Sequence, residues 1–469
     1  MLTYNLKNKD QALYLQLYEN IKTDILNSEI LPNEKLPSKR KLASHLGIAL
    51  ITVENAYAQL IAEGYIYAIE KKGYFVSSFV EKNFHLIKKK TTKKELIEEK
   101  IEPNYYDLQS LEVDTNLFPF SIWSKLMREI ISEKNKKLLV KTDSFGIYEL
   151  RLAIAKHLYS FQGLNITPEQ IIIGAGSEYL YSMIIKLLGY ERVFALEDPG
   201  YKKISKVYNS NNVKIKYVKL DSNGIDVTKL ENVNAVHISP AHQFPTGIVM
   251  PIKRKLALLE WANEKENRII IEDDYDSEFK FKGISVPSIM SIDDNENVIY
   301  LNTFSKTIAP SIRISYMIIP KKFIDLYKEK LGFFSCTVPS FEQYTLAKFI
   351  DEGYFERHLN KMKNYYRKKK DLFFSLIKES KLNNICSLTY SDSGLHFLLE
   401  LDTKISDKTI LEKAFEHGVK LTCLSQYYSQ NSEKKEHIIV VNFSLISDTN
   451  FEKVIEILEN ILWDKKKHN

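Results

Sequence analysis

Residues 298–313 read VIYLNTFSKTIAPSIR. Val298 to Leu301 is a short apolar run of β-prone residues; Asn302-Thr303-Phe304-Ser305-Lys306-Thr307 follows, and Arg313 comes seven residues after the lysine. A lysine flanked by Thr303, Ser305 and Thr307, with an arginine close by, combines an amine able to form a Schiff base with donors for a phosphate. Neighbouring positive charge and partial burial lower the amine's pKa, as covalent attachment to a carbonyl requires. Taken singly, a lysine is more often just solvated, so the reading of Lys306 rests on what other segments bring beside it.

Working outward, Ile171 to Ile173, Arg192 to Leu196, Ala235 to Ile238 and Ile269 to Ile271 are further short β-prone runs separated by helical lengths. That pattern predicts a mostly parallel sheet covered by helices, with ligands held off the strand ends. After Ile173 comes Gly174-Ala175-Gly176-Ser177-Glu178, small residues whose backbone N–H groups can cradle an anion at a helix start, although glycines also serve plain tight turns. After Leu196, the turn Glu197 to Tyr201 presents Tyr201 either as a stacking surface or as a core residue. A turn-rich loop, Ser239 to Gly247, follows Ile238. Glu272-Asp273-Asp274-Tyr275-Asp276 follows Ile271, an acidic cluster that by itself suits a metal as well as anything else.

The N-terminal part has another rhythm. Leu13, Leu17, Ile21 and Ile25 predict a helix with one buried face. Ser38 is placed to cap a short helix carrying Leu42 and Leu46 and closed by Gly47; a third helix, Leu50 to Glu63, buries Val53, Ala56, Tyr57 and Leu60 ahead of Gly64. Two extended runs, Tyr65 to Ile69 and Tyr74 to Val76, complete a helix-turn-helix with a wing. Lys35, Lys39, Arg40 and Lys41 around the second helix, with Lys71 and Lys72 at the wing tip, fall where cations reach DNA phosphates. A three-helix interaction module with a solvated charged rim fits the same spacing. Bulk charge does not choose: the chain carries a formal +6, and residues 1–76 hold nine Lys/Arg against eight Asp/Glu. Three scattered cysteines favour neither a disulfide framework nor a zinc site and fit a reducing compartment. Charged residues interrupt every apolar run, so neither a signal peptide nor a membrane span is expected. Lysine-rich residues 79–104 are expected to be a solvated linker between domains at 1–78 and 105–469, with a membrane-binding polybasic arm as the sharper alternative.

Residues 32–76, PNEKLPSKRKLASHLGIALITVENAYAQLIAEGYIYAIEKKGYFV, resemble the GntR-family winged helix through Leu36-Pro37-Ser38, Arg40, Leu42-Ala43, Leu46-Gly47, Thr52-Val53, Leu60, Glu63-Gly64 and Gly73. The resemblance implies double-stranded DNA as partner and Lys35, Ser38, Lys39, Arg40, Thr52, Lys71, Lys72 and Gly73 as contact residues. One departure is Ala49-Leu50, where that family usually has Ser-Arg opening the recognition helix.

From about residue 105 to 465 the chain is similar, segment by segment, to the class I/II aminotransferases, and Leu117-Phe118-Pro119, Trp123, Asp143 to Arg151, Glu197 to Tyr201 and His242 to Gly247 look like the MocR/GabR-type regulators. This implies a winged helix followed by an α/β fold-type I domain with a smaller C-terminal α/β lobe, binding pyridoxal 5'-phosphate. By the resemblance, Lys306 forms the internal aldimine, Asp273 holds the pyridinium N–H, Tyr275 bonds the ring oxygen and Tyr201 stacks on the ring. Gly176, Ser177, Glu178 (backbone), Thr303, Ser305 and Arg313 surround the phosphate. No metal is implied. Two departures bear on function: Phe244 stands where aminotransferases place an asparagine, with Gln243 beside it as a replacement, and no arginine follows Arg367 to grip a substrate carboxylate. Where relatives responsive to γ-aminobutyrate place arginines, this chain offers Lys203 and Gln426. The expectation is a cytoplasmic, homodimeric regulator sensing an amino compound or pyridoxal phosphate itself, more sensor than enzyme; the alternative is a working aminotransferase with a DNA-binding appendage.

Overall fold

The computed structural model describes residues 2–6, 11–78, 105–281, 287–389, 394–430 and 432–462. The chain divides into two compact units, Met1–Glu102 and Pro103–Asn469. The linker expected at 79–104 lies outside the described residues.

In the first unit, α1 (Leu13–Leu26), α2 (Lys39–Leu46) and α3 (Leu50–Ala62) precede two strands, β1 (Ile66–Ile69) and β2 (Gly73–Val76). The α1 face buries Leu17, Ile21 and Ile25, whereas Leu13 at its first turn stays exposed. Ser38 Oγ accepts from the Lys41 backbone N–H at 3.3 Å, and Gly47 closes α2 at φ +65°. Val53, Ala56, Tyr57 and Leu60 form the inner face of α3, where the Tyr57 hydroxyl donates to the Pro37 carbonyl at 2.9 Å. β1 and β2 pair antiparallel from Ile66↔Val76 to Ile69↔Gly73. Lys71, at φ +59°, turns the wing.

The second unit opens with β3 (Tyr106–Asp107), which pairs in parallel with Val419–Lys420. Its main sheet comprises β4 (Ile171–Gly174), β5 (Val193–Asp198), β6 (Lys214–Asp221), β7 (Gly224–Ile225), β8 (Ala235–Ile238), β9 (Ile269–Asp273), β10 (Val298–Thr303) and β11 (Ser315–Ile318), in the order β4-β11-β10-β9-β8-β5-β6-β7. β6, β5, β8, β9 and β10 run parallel; β11 is antiparallel to both its neighbours. Because strand side chains alternate between faces, Ile172, Phe194, Ile271, Ile299 and Leu301 pack with helices Ser177–Leu188 and Ile324–Leu331, while Ile171, Ile173 and Tyr300 pack with helices Tyr148–Gln162 and Ser340–Asp351. A smaller lobe has a three-stranded antiparallel sheet, β12 (Cys386–Thr389), β13 (His396–Leu401) and β15 (Ile438–Asn442), β14 being the Val419–Lys420 strand. Helices Tyr354–Glu379, Asp407–Glu416 and Phe451–Leu462 pack with it. Among the described residues, no helix is long and apolar enough to cross a membrane.

Candidate functional site

The carboxyl ends of β4, β5, β9 and β10 converge on a cavity of about 450 Å³. Nine of the ten residues expected around a cofactor line it: Ser177, Glu178, Tyr201, Asp273, Tyr275, Thr303, Ser305, Lys306 and Arg313. Gly176, the tenth, lies against the Arg313 guanidinium. Its φ is +94°, and a Cβ there would collide with the guanidinium and with the Glu178 carboxylate, so both shape and backbone demand glycine.

Lys306 follows β10 and donates its Nζ proton to the Leu111 carbonyl. Burial brings its amine down to about 8, against the opposing pull of Asp276 and Glu112. Asp273, the last residue of β9, is buried and fixed from below: the Tyr181 hydroxyl donates to its Oδ2 at 2.5 Å, and His237 Nε2 lies 3.4 Å from the same oxygen. The other ring nitrogen of His237 meets the Tyr208 hydroxyl at 3.0 Å. Tyr275 donates to the His242 carbonyl at 2.9 Å. Tyr201 meets Phe244 edge to face at 5.7 Å, and Phe244 meets Tyr427 at 5.1 Å, giving the cavity an aromatic wall.

At the opposite side, Ser177 begins the helix Ser177–Leu188. Arg313 pairs with Glu178 at 2.8 Å, and Lys203 also pairs with Glu178. Burial pushes the Glu178 carboxyl up, but hydrogen bonds from Lys203, its own backbone and Arg313 outweigh that and bring it down to about 2. A helix N-terminus, two cations, the Thr303 and Ser305 hydroxyls and the buried Asp273 carboxylate therefore line one cavity.

The acidic cluster after β9 is dispersed. Glu272 accepts from the backbone of Ile289 (2.8 Å) and Met290 (2.9 Å), Asp274 from the Tyr300 hydroxyl (2.5 Å), and Asp276 sits 2.9 Å from His242 Nδ1. Among the described residues, no group of three or more His, Cys, Asp or Glu is placed to hold a metal ion. Gln243 does not take the part offered for it. Its amide donates to the Pro199 and Phe244 carbonyls at 3.0 and 2.8 Å and accepts from the Thr246 N–H at 3.0 Å, which holds the loop and keeps the amide out of the cavity wall. Gln426 likewise accepts from the Thr422 hydroxyl and the Cys423 N–H.

Residues 109–112, Tyr181 and Tyr427 also line the cavity without having been picked out from the sequence, and His237 stands behind Asp273. Tyr181 sits four positions after Ser177 on one helix, so helical spacing placed it on the same face. Nothing local marks residues 109–112, nearly two hundred positions from Lys306.

In the winged unit, Lys35, Arg40, Lys41, Lys71 and Lys72 are exposed, Ser38 caps α2, Thr52 is half-buried and Gly73 opens β2 at φ +114°. Lys39 is engaged by Glu54 at 3.4 Å and lies over the Tyr74 ring.

The chain matches the family model of aminotransferases class I and II over residues 109–458 and that of bacterial regulatory proteins of the gntR family over residues 13–76. The uncharacterized HTH-type transcriptional regulator YdeL of Bacillus subtilis (strain 168) is 36% identical over 454 residues, 96% of each chain. The probable rhizopine catabolism regulatory protein MocR of Rhizobium meliloti is 26% identical, over 92% of this chain and 90% of its own. In fold, the chain resembles a kynurenine aminotransferase of Pyrococcus horikoshii, with a TM-score of 0.69 and 24% identity over 84% of this chain and 95% of that one.

Proposed function

Because the chain belongs to the MocR-type HTH-type regulators, a GntR-family winged helix joined to an aminotransferase class I and II domain, we propose that it is a pyridoxal-phosphate-dependent transcriptional regulator: residues 1–78 bind an operator in double-stranded DNA, and residues 105–469 sense a small amino compound or pyridoxal phosphate itself. The aminotransferase class I and II family is pyridoxal-phosphate dependent, and the donor set of the cavity fits that group. Gly176 lets the Arg313 guanidinium lie against the backbone where a side chain would collide with it, and Asp273 is a buried carboxylate with one side already satisfied. Bound there, pyridoxal phosphate supplies an aldehyde that takes up primary amines and a ring that draws electrons.

This chain's residues do the holding. Lys306 is the amine of attachment, and its lowered pKa leaves a usable share unprotonated near neutrality. Asp273, steadied by Tyr181 and His237, would accept from the ring nitrogen, with Tyr201 and Tyr275 beside the ring, the Tyr275 hydroxyl turning from the His242 carbonyl to reach it. Ser177, Ser305, Thr303 and Arg313 would hold the phosphate. An amine entering between Tyr201 and Tyr427 touches both lobes, which gives it a differential grip on their arrangement, and a homodimer presents two winged helices to paired half-sites.

The observation that carries this reading is the convergence of nine expected residues on one cavity in a chain that also has a winged helix but no arginine after Arg367. Without a planar fork for the substrate carboxylate, repeated transamination lacks its orienting contact. Gel-shift titration with the target promoter, with and without pyridoxal phosphate and candidate amines, tests it: the wild-type response should vanish in Lys306→Ala. An unchanged response in that variant refutes sensing through Lys306. The completeness of the Lys306–Asp273–Tyr275 set favours a second reading, a working aminotransferase; it requires an added amino acid to be converted to keto acid with release of product.

A further inference from the structure

The recognition helix α3 carries no lysine or arginine: residues 50–62 read LITVENAYAQLIA, with Glu54 the one charge. Its inner face is Val53, Ala56, Tyr57 and Leu60. At 100° per residue the face opposite is Ile51, Asn55, Ala58 and Ala62, and all four are exposed. Leu50 and Ile51, in the first turn, are 39% and 60% exposed. Glu54, on the flank, is tied to Lys39. Among the described residues of the unit, the exposed cations Lys35, Arg40, Lys41, Lys71 and Lys72 stand outside α3. Exposed apolar side chains are ordinary on a protein surface, but at the first turn of a helix that enters a groove Leu50 and Ile51 are apolar groups set to meet base edges.

Each base pair shows the major groove a different edge. Guanine offers two acceptors, met best by the fork of arginine or by lysine; adenine offers one acceptor and one donor, met by asparagine or glutamine; thymine offers a methyl group, met by apolar side chains. α3 has no arginine or lysine for guanine and has both of the others, while the half-buried Thr52 suits either purine.

Building on the DNA-binding reading above, we propose that α3 reads A·T base pairs at the centre of each half-site, with Ile51 and Leu50 against thymine C5-methyl groups and Asn55 on an adenine edge, while the surrounding cations bind phosphates without regard to sequence. Ala49-Leu50, in place of the Ser-Arg usual for the GntR family, then marks a changed specificity that keeps the helix's role in the groove.

The test is selection of bound duplexes from a random-sequence pool by the full-length protein loaded with pyridoxal phosphate, followed by competition binding on the selected site. The expected result is A·T pairs at the half-site centres and about four-fold weaker binding at one or two thymines per half-site when deoxyuridine replaces thymidine, the worth of one buried methyl group. In the double variant Leu50→Ala/Ile51→Ala the same replacements should cost nothing, while the salt dependence of binding stays that of wild type, which shows the unit still folded and on its phosphates. Asn55→Ala should lose discrimination at one adenine position. Selected half-sites with G·C at their centres, indifference of wild-type binding to methyl removal, or a penalty that persists in Leu50→Ala/Ile51→Ala each overturns the proposal while leaving DNA binding intact. Recovery of no duplex at all overturns the DNA-binding reading along with it.

Discussion

The amine of Lys306 is the most direct handle on the cavity, and its pH dependence can be worked out in advance. An ordinary lysine titrates at 10.5; burial brings this one to about 8. At pH 7.5 the free-amine share of a group at 8 is 0.32/1.32, about one quarter, against about one part in a thousand at 10.5, an enrichment of roughly 240-fold. The rate at which pyridoxal phosphate attaches to the purified apo chain, followed by stopped-flow absorbance, should therefore rise tenfold per pH unit up to about pH 7.5 and level off above about 9. Asp276 favours the protonated amine, so its removal in Asp276→Asn, which keeps an acceptor for His242, should move the inflection to lower pH. Lys306→Ala should show no such inflection. A wild-type rate still climbing steeply at pH 10, or attachment of equal rate and pH profile in Lys306→Ala, would refute the assignment of Lys306 as the buried, primed amine.

Other perturbations test the supporting parts. Gly176→Ala puts a Cβ onto Arg313 at a positive φ, a strain of roughly 1–3 kcal/mol, and should weaken pyridoxal phosphate binding about tenfold or more in equilibrium titration while the far-ultraviolet spectrum stays native. Glu178→Gln frees Arg313 and Lys203 for a phosphate; since Arg313 is half exposed, the gain in affinity should be at most about fivefold and should fade with salt, and a weaker complex would mean that Glu178 serves to hold Arg313 in place. Ser38→Ala removes the α2 cap and should cost the winged unit about 1 kcal/mol, read by hydrogen exchange in the full chain. The Glu197 carboxyl is pushed up to about 8 by burial, so the folded state keeps a proton that the unfolded chain releases above about 4.5. That group's contribution to stability is present below pH 4.5 and lost as pH rises through 8; Glu197→Gln should flatten the fall in urea-unfolding free energy across that window.

What could be read from the chain and what could not divide along a physical line. β8, β9 and β10 are central strands and β4, though last in the sheet, is covered on both faces as they are, so all four open on apolar runs, and the residues just past their ends face the cavity by topology alone. β6, KIKYVKLD, lies near the sheet edge and mixes lysines into its alternation; β11 joins antiparallel only twelve residues after β10, where the helix-length spacing of the others is missing. Neither was expected. Capping residues such as Ser38 and Gly47 act within a few positions and were legible for that reason. The layer behind the site was not: the pairing of Tyr181 and His237 with Asp273, and of Leu111 with Lys306, spans 92, 36 and 195 positions and leaves no local signal. Gln243 shows the converse, a residue of the right chemistry that the loop's own hydrogen bonding had already engaged.

The small lobe bears most directly on whether the site turns over or merely binds. Among the described residues it brings Tyr427 to the cavity wall, and beside it the Oε1 of the exposed Gln426 accepts from the Thr422 hydroxyl and the Cys423 N–H. Arg313 and Lys203 at the cavity both pair with Glu178, and the wall formed by Tyr201, Phe244 and Tyr427 offers an incoming carboxylate two phenol hydroxyls and no guanidinium. An aromatic wall rewards apolar area and tolerates many orientations, whereas a guanidinium fork fixes one. On the reading proposed above, the amine-holding parts would serve occupancy, and keto acid release from an added amino acid by the purified protein would refute that reading in favour of a working aminotransferase.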